Sequence, residues 1–138
     1  MKKILLLFIA LISFGVNAQN KEVKYINLKK TYDFQTEPNQ FRLNTALKQK
    51  LEALGYTVYF DKDMPQEVRL DPCLEYVGEL SKDKGSLTTG LTFELVDCKG
   101  QVIFSNNGVS RLKKHNKSYM DALQNIFKYS NVEMLRKR

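Results

Sequence analysis

Cys73 and Cys98 have the most definite chemistry in this chain of 138 residues. Between them, Lys84-Gly85-Ser86-Leu87 reads as a turn, since Gly adopts the positive φ at the first central position of a type II′ turn at little cost. Centring the turn on Gly85-Ser86 predicts ladder pairs Leu80 with Leu91, Gly78 with Phe93, Tyr76 with Leu95, and Cys73 with Cys98. Facing Cα atoms in such a ladder lie about 4.5–5.5 Å apart, a separation that a disulfide accepts. The bridge closes a loop for which the chain-entropy relation gives roughly 3.5 kcal/mol, an upper figure because a hairpin already holds its ends together. The competing readings are two reduced, half-buried cysteines, or a catalytic Cys working with His115. Nothing beside either cysteine suggests a lowered thiol pKa, and a disulfide removes the nucleophile. His115 is the one histidine, which excludes a multi-histidine metal site; zinc held by two Cys and this His needs the pair reduced.

Two charged clusters come next. Asp61, Asp63, Glu67 and Asp71 offer oxygen ligands of the kind Ca²⁺ takes, yet lack the Gly and spaced third ligand of an EF-hand loop. They read as an acidic surface loop and form no identifiable acid–base pair. Arg111, Lys113, Lys114, His115 and Lys117 form a dense basic segment. It can hold the phosphate or carboxylate groups of a polymer, or serve as a solvated loop. Specific nucleic-acid recognition calls for exposed aromatics among the charges, and the one nearby, Tyr119, falls on the core side of its helix. No catalytic motif, cofactor fingerprint or metal set emerges, so a non-enzymatic role is expected.

The start of the chain supplies an address. Met1-Lys2-Lys3, an apolar run from Ile4 to Val16 and the small-residue site Val16-Asn17-Ala18 have the layout of a secretory signal peptide over residues 1–18. The run is too short to span a bilayer, which takes about 20 helical residues, and no cysteine follows it to carry a lipid. The exported product is expected in the periplasm or outside the cell, where disulfides persist. Its formal charge of +7 drops by two once Lys2 and Lys3 are removed. Such basicity suits contact with anionic envelope polymers without singling one out.

The elements that position these residues are legible from periodicity. Residues 23–30 read as a strand. Pro38 suits a first helical turn, and from Asn39 to Leu54 the residues Leu43, Ala46, Leu47, Leu51, Ala53 and Leu54 share one face, with Lys50 intruding. Gly55 stops this helix and residues 56–60 form a strand, an order that favours a parallel crossover. Residues 61–72 are a polar connection. The cysteine hairpin follows, and Lys99-Gly100 turns into a third meander strand pairing Leu95 with Phe104 and Val96 with Ile103. Ser118 with Asp121 resembles a capping box opening a last helix. The expected fold is α+β, in the order β-α-β-β-β-α: a mixed sheet with a three-stranded antiparallel meander and two helices on one face. Residues 19–130 form one domain, and 131–138 a frayed basic tail.

Strand alternation leaves Val77, Val96 and Ile103 at the centre of the face away from the helices, ringed by Glu75, Glu79 and Glu94. That face is a contact surface or an ordinary solvated sheet face. Phe41 lies opposite the apolar stripe of the first helix; it either packs into the 31–37 loop or serves as an exposed contact residue. In its order of elements over residues 23–129 the chain resembles small α/β domains of bacterial envelope proteins. These are the amino-terminal domain of TolB and the domain shared by the curli secretion lipoprotein and the penicillin-binding-protein activator lipoproteins. The resemblance implies an accessory or assembly role by protein–protein contact, with no residue-level motif carried over. The chain is therefore expected to bind another envelope protein through Phe41, Val77, Val96 and Ile103. The alternative is a module that holds an anionic envelope polymer through Arg111, Lys113, Lys114 and Lys117. No cofactor is expected, and after signal cleavage no transmembrane segment.

Overall fold

The computed structural model describes residues 22–85, 87–128 and 135. The expected signal peptide lies outside this range, as does the tail apart from Leu135, which is buried in the core. The fold is α+β. Five strands, β1 (Tyr25–Leu28), β2 (Thr57–Phe60), β3 (Glu75–Lys82), β4 (Thr89–Val96) and β5 (Val102–Ser110), form one mixed sheet in the order β2-β1-β3-β4-β5. β1, lying between β2 and β3, is parallel to both, and β3-β4-β5 is the antiparallel meander. Helices α1 (Leu43–Ala53) and α3 (His115–Lys128) pack on one face, α1 over β1 and β2 and α3 over β4 and β5. A short helix, α2 (Gln66–Leu70), interrupts the segment expected to be a plain connection.

Alternation explains the core. Ile26, Leu28, Leu80, Leu91, Phe93 and Leu95 point to the helical side and are buried, against Leu43, Leu47 and Leu51 of α1 and Ala122, Leu123 and Ile126 of α3. Each such side chain contributes on the order of 1.5–3 kcal/mol by leaving water. Gly108 lets α3 lie close to β5, since a Cβ there would run into the Ala122 carbonyl. Gly55, at φ 100, ends α1 in the left-handed conformation expected of it.

Both helices start elsewhere than the sequence suggests. Residues 39–42 do not continue α1: Asn39, Phe41 and Arg42 take positive φ, and Pro38 sits in an exposed loop. The loop is fixed instead by side chains. Gln35 Nε2 donates to Asn44 Oδ1 at 2.8 Å, and Asn44 Nδ2 donates to the carbonyls of Lys29 and Lys30. Helix α3 begins at His115, and Ser118 is buried one turn in, its hydroxyl donating to the His115 carbonyl at 2.9 Å and lying 3.0 Å from Thr89 Oγ1.

The hairpin register differs by two residues from the expected one: Leu80 faces Phe93, Gly78 faces Leu95 and Val77 faces Val96. The turn is longer than Gly85-Ser86, closing where Asp83 N donates to the Gly90 carbonyl at 2.9 Å. The Asp83 carboxylate holds it, accepting from Thr92 Oγ1 at 2.9 Å and from Asn107 Nδ2. An even shift leaves every side chain on its own face. The second turn carries a bulge between Leu95 and Val96, so Leu95 still faces Phe104 but Val96 faces Val102 rather than Ile103. There Gly100 takes φ 78, and Asp97 Oδ1 accepts from Lys99 N and Gln101 N, both at 2.9 Å.

Candidate functional site

Cys73 and Cys98 form a disulfide with Cα atoms 5.0 Å apart. They are not a ladder pair, as the facing argument supposed. Cys73 lies in the 3-10 turn Pro72–Leu74, where Asp71 Oδ1 accepts its N–H at 3.1 Å, and Cys98 lies in the turn after β4. The bridge joins two exposed turns beside the end of the β3–β4 ladder.

The second face of the sheet divides in two. Over β1 and β2 it is covered: Val68 of α2 is buried, Tyr59 is buried, and the Tyr25 hydroxyl donates to Glu67 Oε2 at 3.3 Å. The Tyr59 hydroxyl donates to Glu75, and burial followed by that carboxylate pushes its pKa well above the ordinary 10.0. Over β3, β4 and β5 no described element gives such cover. The pairings align Val77, Val96 and Val102 in one row across three strands, about 10 Å long at ordinary strand spacing. Val102 is 53% exposed and Val109, farther along β5, 44%. Ile103, displaced by the bulge, is exposed beside the row. The candidate contact residues Val77, Val96 and Ile103 are therefore together, with Val102 and Val109 added. Val102 was missed because the pairing that places it beside Val96 depends on the bulge, and β5 (Val-Ile-Phe-Ser-Asn-Asn-Gly-Val-Ser) has no regular apolar alternation to point to it or to Val109.

The next row sets Glu79 directly opposite Glu94. Like charges facing each other across strands are destabilising. Lys29 Nζ relieves one at 3.1 Å from Glu79, while among the described residues Glu94 accepts a hydroxyl hydrogen bond from Ser105 at 3.3 Å and has no cation partner. This half-exposed face thus combines an apolar row with an incompletely neutralised acidic one.

The remaining predicted residues lie apart from it. Phe41 is half-buried, with its ring stacked on Tyr119 at 4.3 Å, which ties the 39–42 loop to α3. Its ring partner therefore lies on α3 rather than in the 31–37 loop named by the packing expectation. Arg111, Lys113, Lys114 and Lys117 are all exposed on the β5–α3 connection and the first turn of α3. Asp61, Glu67 and Asp71 are each engaged locally: Asp61 Oδ2 accepts from Lys30 N at 3.0 Å, Glu67 from Tyr25, and Asp71 from Cys73. Among the described residues no group of three His, Cys, Asp or Glu side chains is placed to hold a metal ion, and no helix is long and apolar enough to cross a membrane.

A groove of about 820 Å³ runs along the outside of the helical layer, between α1 and α3. Ala46, Ala53, Met120 and Leu123 form its apolar walls, with Arg42 and Lys50 at its edge. This explains the Lys50 that breaks the apolar stripe of α1: at that position the stripe borders the groove rather than the sheet.

No protein-family model matches the chain, and no curated protein matches it. Solved structures share its fold. A point-variant PelC dodecamer from Paraburkholderia phytofirmans superposes with a TM-score of 0.52 at 15% identity, covering 86% of this chain and 92% of that one. A second PelC dodecamer structure from the same organism gives 0.49 at 18% identity, covering 84% and 90%. At 15% identity the likeness to the first is one of fold.

Proposed function

We propose that this chain is an exported, non-enzymatic accessory domain of the bacterial cell envelope that works by binding protein through the uncovered half of its sheet. The observation that carries the reading is the row Val77, Val96 and Val102, three β-branched apolar side chains aligned across strands on the face away from α1 and α3. Exposed apolar patches rimmed by polar groups mark contact surfaces. The disulfide supports export, because such bridges persist in oxidising compartments. The PelC structures that share the fold are dodecamers, so assembly with protein partners suits this architecture, and a further copy of this chain is one such partner.

The polymer reading rests on the exposed basic segment Arg111, Lys113, Lys114 and Lys117. Its expected signature is binding that falls steeply with salt. The deciding experiment is cross-linking of the oxidised protein in a native envelope, followed by mass spectrometry of the linked peptides. Links from β3, β4 and β5 to protein, lost in a folded Val96→Lys variant, support the proposal. Retention of those links in that variant, or recovery of salt-labile polymer alone, defeats it.

A further inference from the structure

The uncovered sheet face and the groove between α1 and α3 lie on opposite sides of the molecule, and their chemistries are complementary. The sheet face offers the Val77-Val96-Val102 row beside the opposed Glu79 and Glu94. The groove offers Ala46, Ala53, Met120 and Leu123 beside Arg42 and Lys50. Among the described residues neither of these two cations has an ion-pair partner, the recorded pairs being Lys29–Glu79 and Lys48–Glu52. Resting on the protein-binding reading above, we infer that the partner of the sheet face is a second copy of this chain. The groove of one copy seats on the sheet face of the next, head to tail.

Three observations carry this. Each face has an apolar centre, so contact removes exposed hydrocarbon from water on both copies. Glu79 faces Glu94, and Lys29 pairs with Glu79 alone, so a cation from outside beside Glu94 offsets the remaining like-charge repulsion. The two surfaces differ and lie on opposite sides, so the contact is heterologous: each copy keeps one free face and can bind a further copy. The backbone also presents Arg42 in an unusual way. It takes φ 60 directly after Phe41 at φ 59. A bulky residue rarely adopts this region, and such strain persists only where its surroundings enforce it. The stack of Phe41 on Tyr119 is that enforcement, holding Arg42 at the groove edge.

The test is sedimentation equilibrium of the purified, oxidised chain at low salt, alone and as variant mixtures. Wild type is expected to associate progressively as concentration rises. Arg42→Glu/Lys50→Glu and Val96→Lys are each expected to remain monomeric alone. Mixed together they should form a 1:1 dimer that grows no further, because each supplies the face the other lacks. Glu79→Lys/Glu94→Lys provides a second sheet-face variant built from exposed rim charges, should Val96→Lys lose its folded circular-dichroism signal. A wild type that stays monomeric at 100-fold the lowest concentration overturns the inference while leaving cross-links to a different envelope protein possible. Association abolished by Val96→Lys but unaffected by the groove variant shows a two-fold sheet-to-sheet contact, which also overturns it. A mixture that fails to form the 1:1 dimer has the same consequence.

Discussion

The two faces of the β3–β4 hairpin start from the same alternating sequence and reach opposite ends. On the helical side Leu80, Leu91, Phe93 and Leu95 are at most 3% exposed. On the other side Val77, Glu79, Glu94 and Val96 remain only partly covered. The helices account for the difference: α1 and α3 both carry their leucine stripes to one side, and the short α2 reaches only the β1–β2 end of the other. One face therefore carries the buried core, and the other stays partly exposed. Glu79 opposite Glu94 is a local cost that a sheet selected for stability alone has no reason to keep.

Substitutions break this comparison in a definite order. Leu123→Ala, in the covered layer, is expected to lower unfolding free energy by about 3–5 kcal/mol, since it removes a fully buried side chain and leaves a cavity. A urea titration reads this directly, and a loss under about 1 kcal/mol contradicts the assignment of the core. Replacing Cys73 and Cys98 together with Ser should cost up to about 3.5 kcal/mol, with the shortfall measuring how far the turns already hold the two ends. Gly108→Ala should cost roughly 1–3 kcal/mol, because the new methyl meets the α3 backbone rather than a movable side chain. Val96→Lys, at a half-buried position of β4, should cost about 1 kcal/mol, well below Leu123→Ala. A loss comparable to that of Leu123→Ala would show that the second face is also core.

Alkali sharpens the contrast further. Tyr32 is buried, its hydroxyl donating to the Gly78 carbonyl at 2.9 Å, and burial holds its pKa far above the ordinary 10.0. The folded chain keeps this proton where the unfolded chain loses it. Its contribution is thus fully present below about pH 10 and is lost as pH rises beyond that value. Thermal melts should fall above pH 10, and Tyr32→Phe, less stable at neutral pH, should fall less steeply. An equal slope in both proteins would assign the alkaline loss to other groups.

Much of this arrangement was legible in the chain. The leucine spacing of α1, the stop at Gly55 and the alternation of β3 and β4 depend on neighbours within a few residues, where sequence and local geometry are tightly coupled. The cysteine partnership was legible too, although its stated reason was not the operative one: the thiols meet between two turns. The start of α1 was not legible, because Gln35, Asn44 and the Phe41–Tyr119 stack impose left-handed conformations that local propensity opposes. The two-residue register shift escaped notice because pairings an even number apart put identical residues on each face.

The sequence by itself determined which residues belong to each face, since side-chain direction follows from period alone, and it determined the α+β order of elements. Only the tertiary structure decided which parts of those faces are covered. That outcome depends on where α2 lands, on the bulge that brings Val102 beside Val96, and on the gap left between α1 and α3. Each joins residues far apart along the chain, and no local periodicity records such a contact.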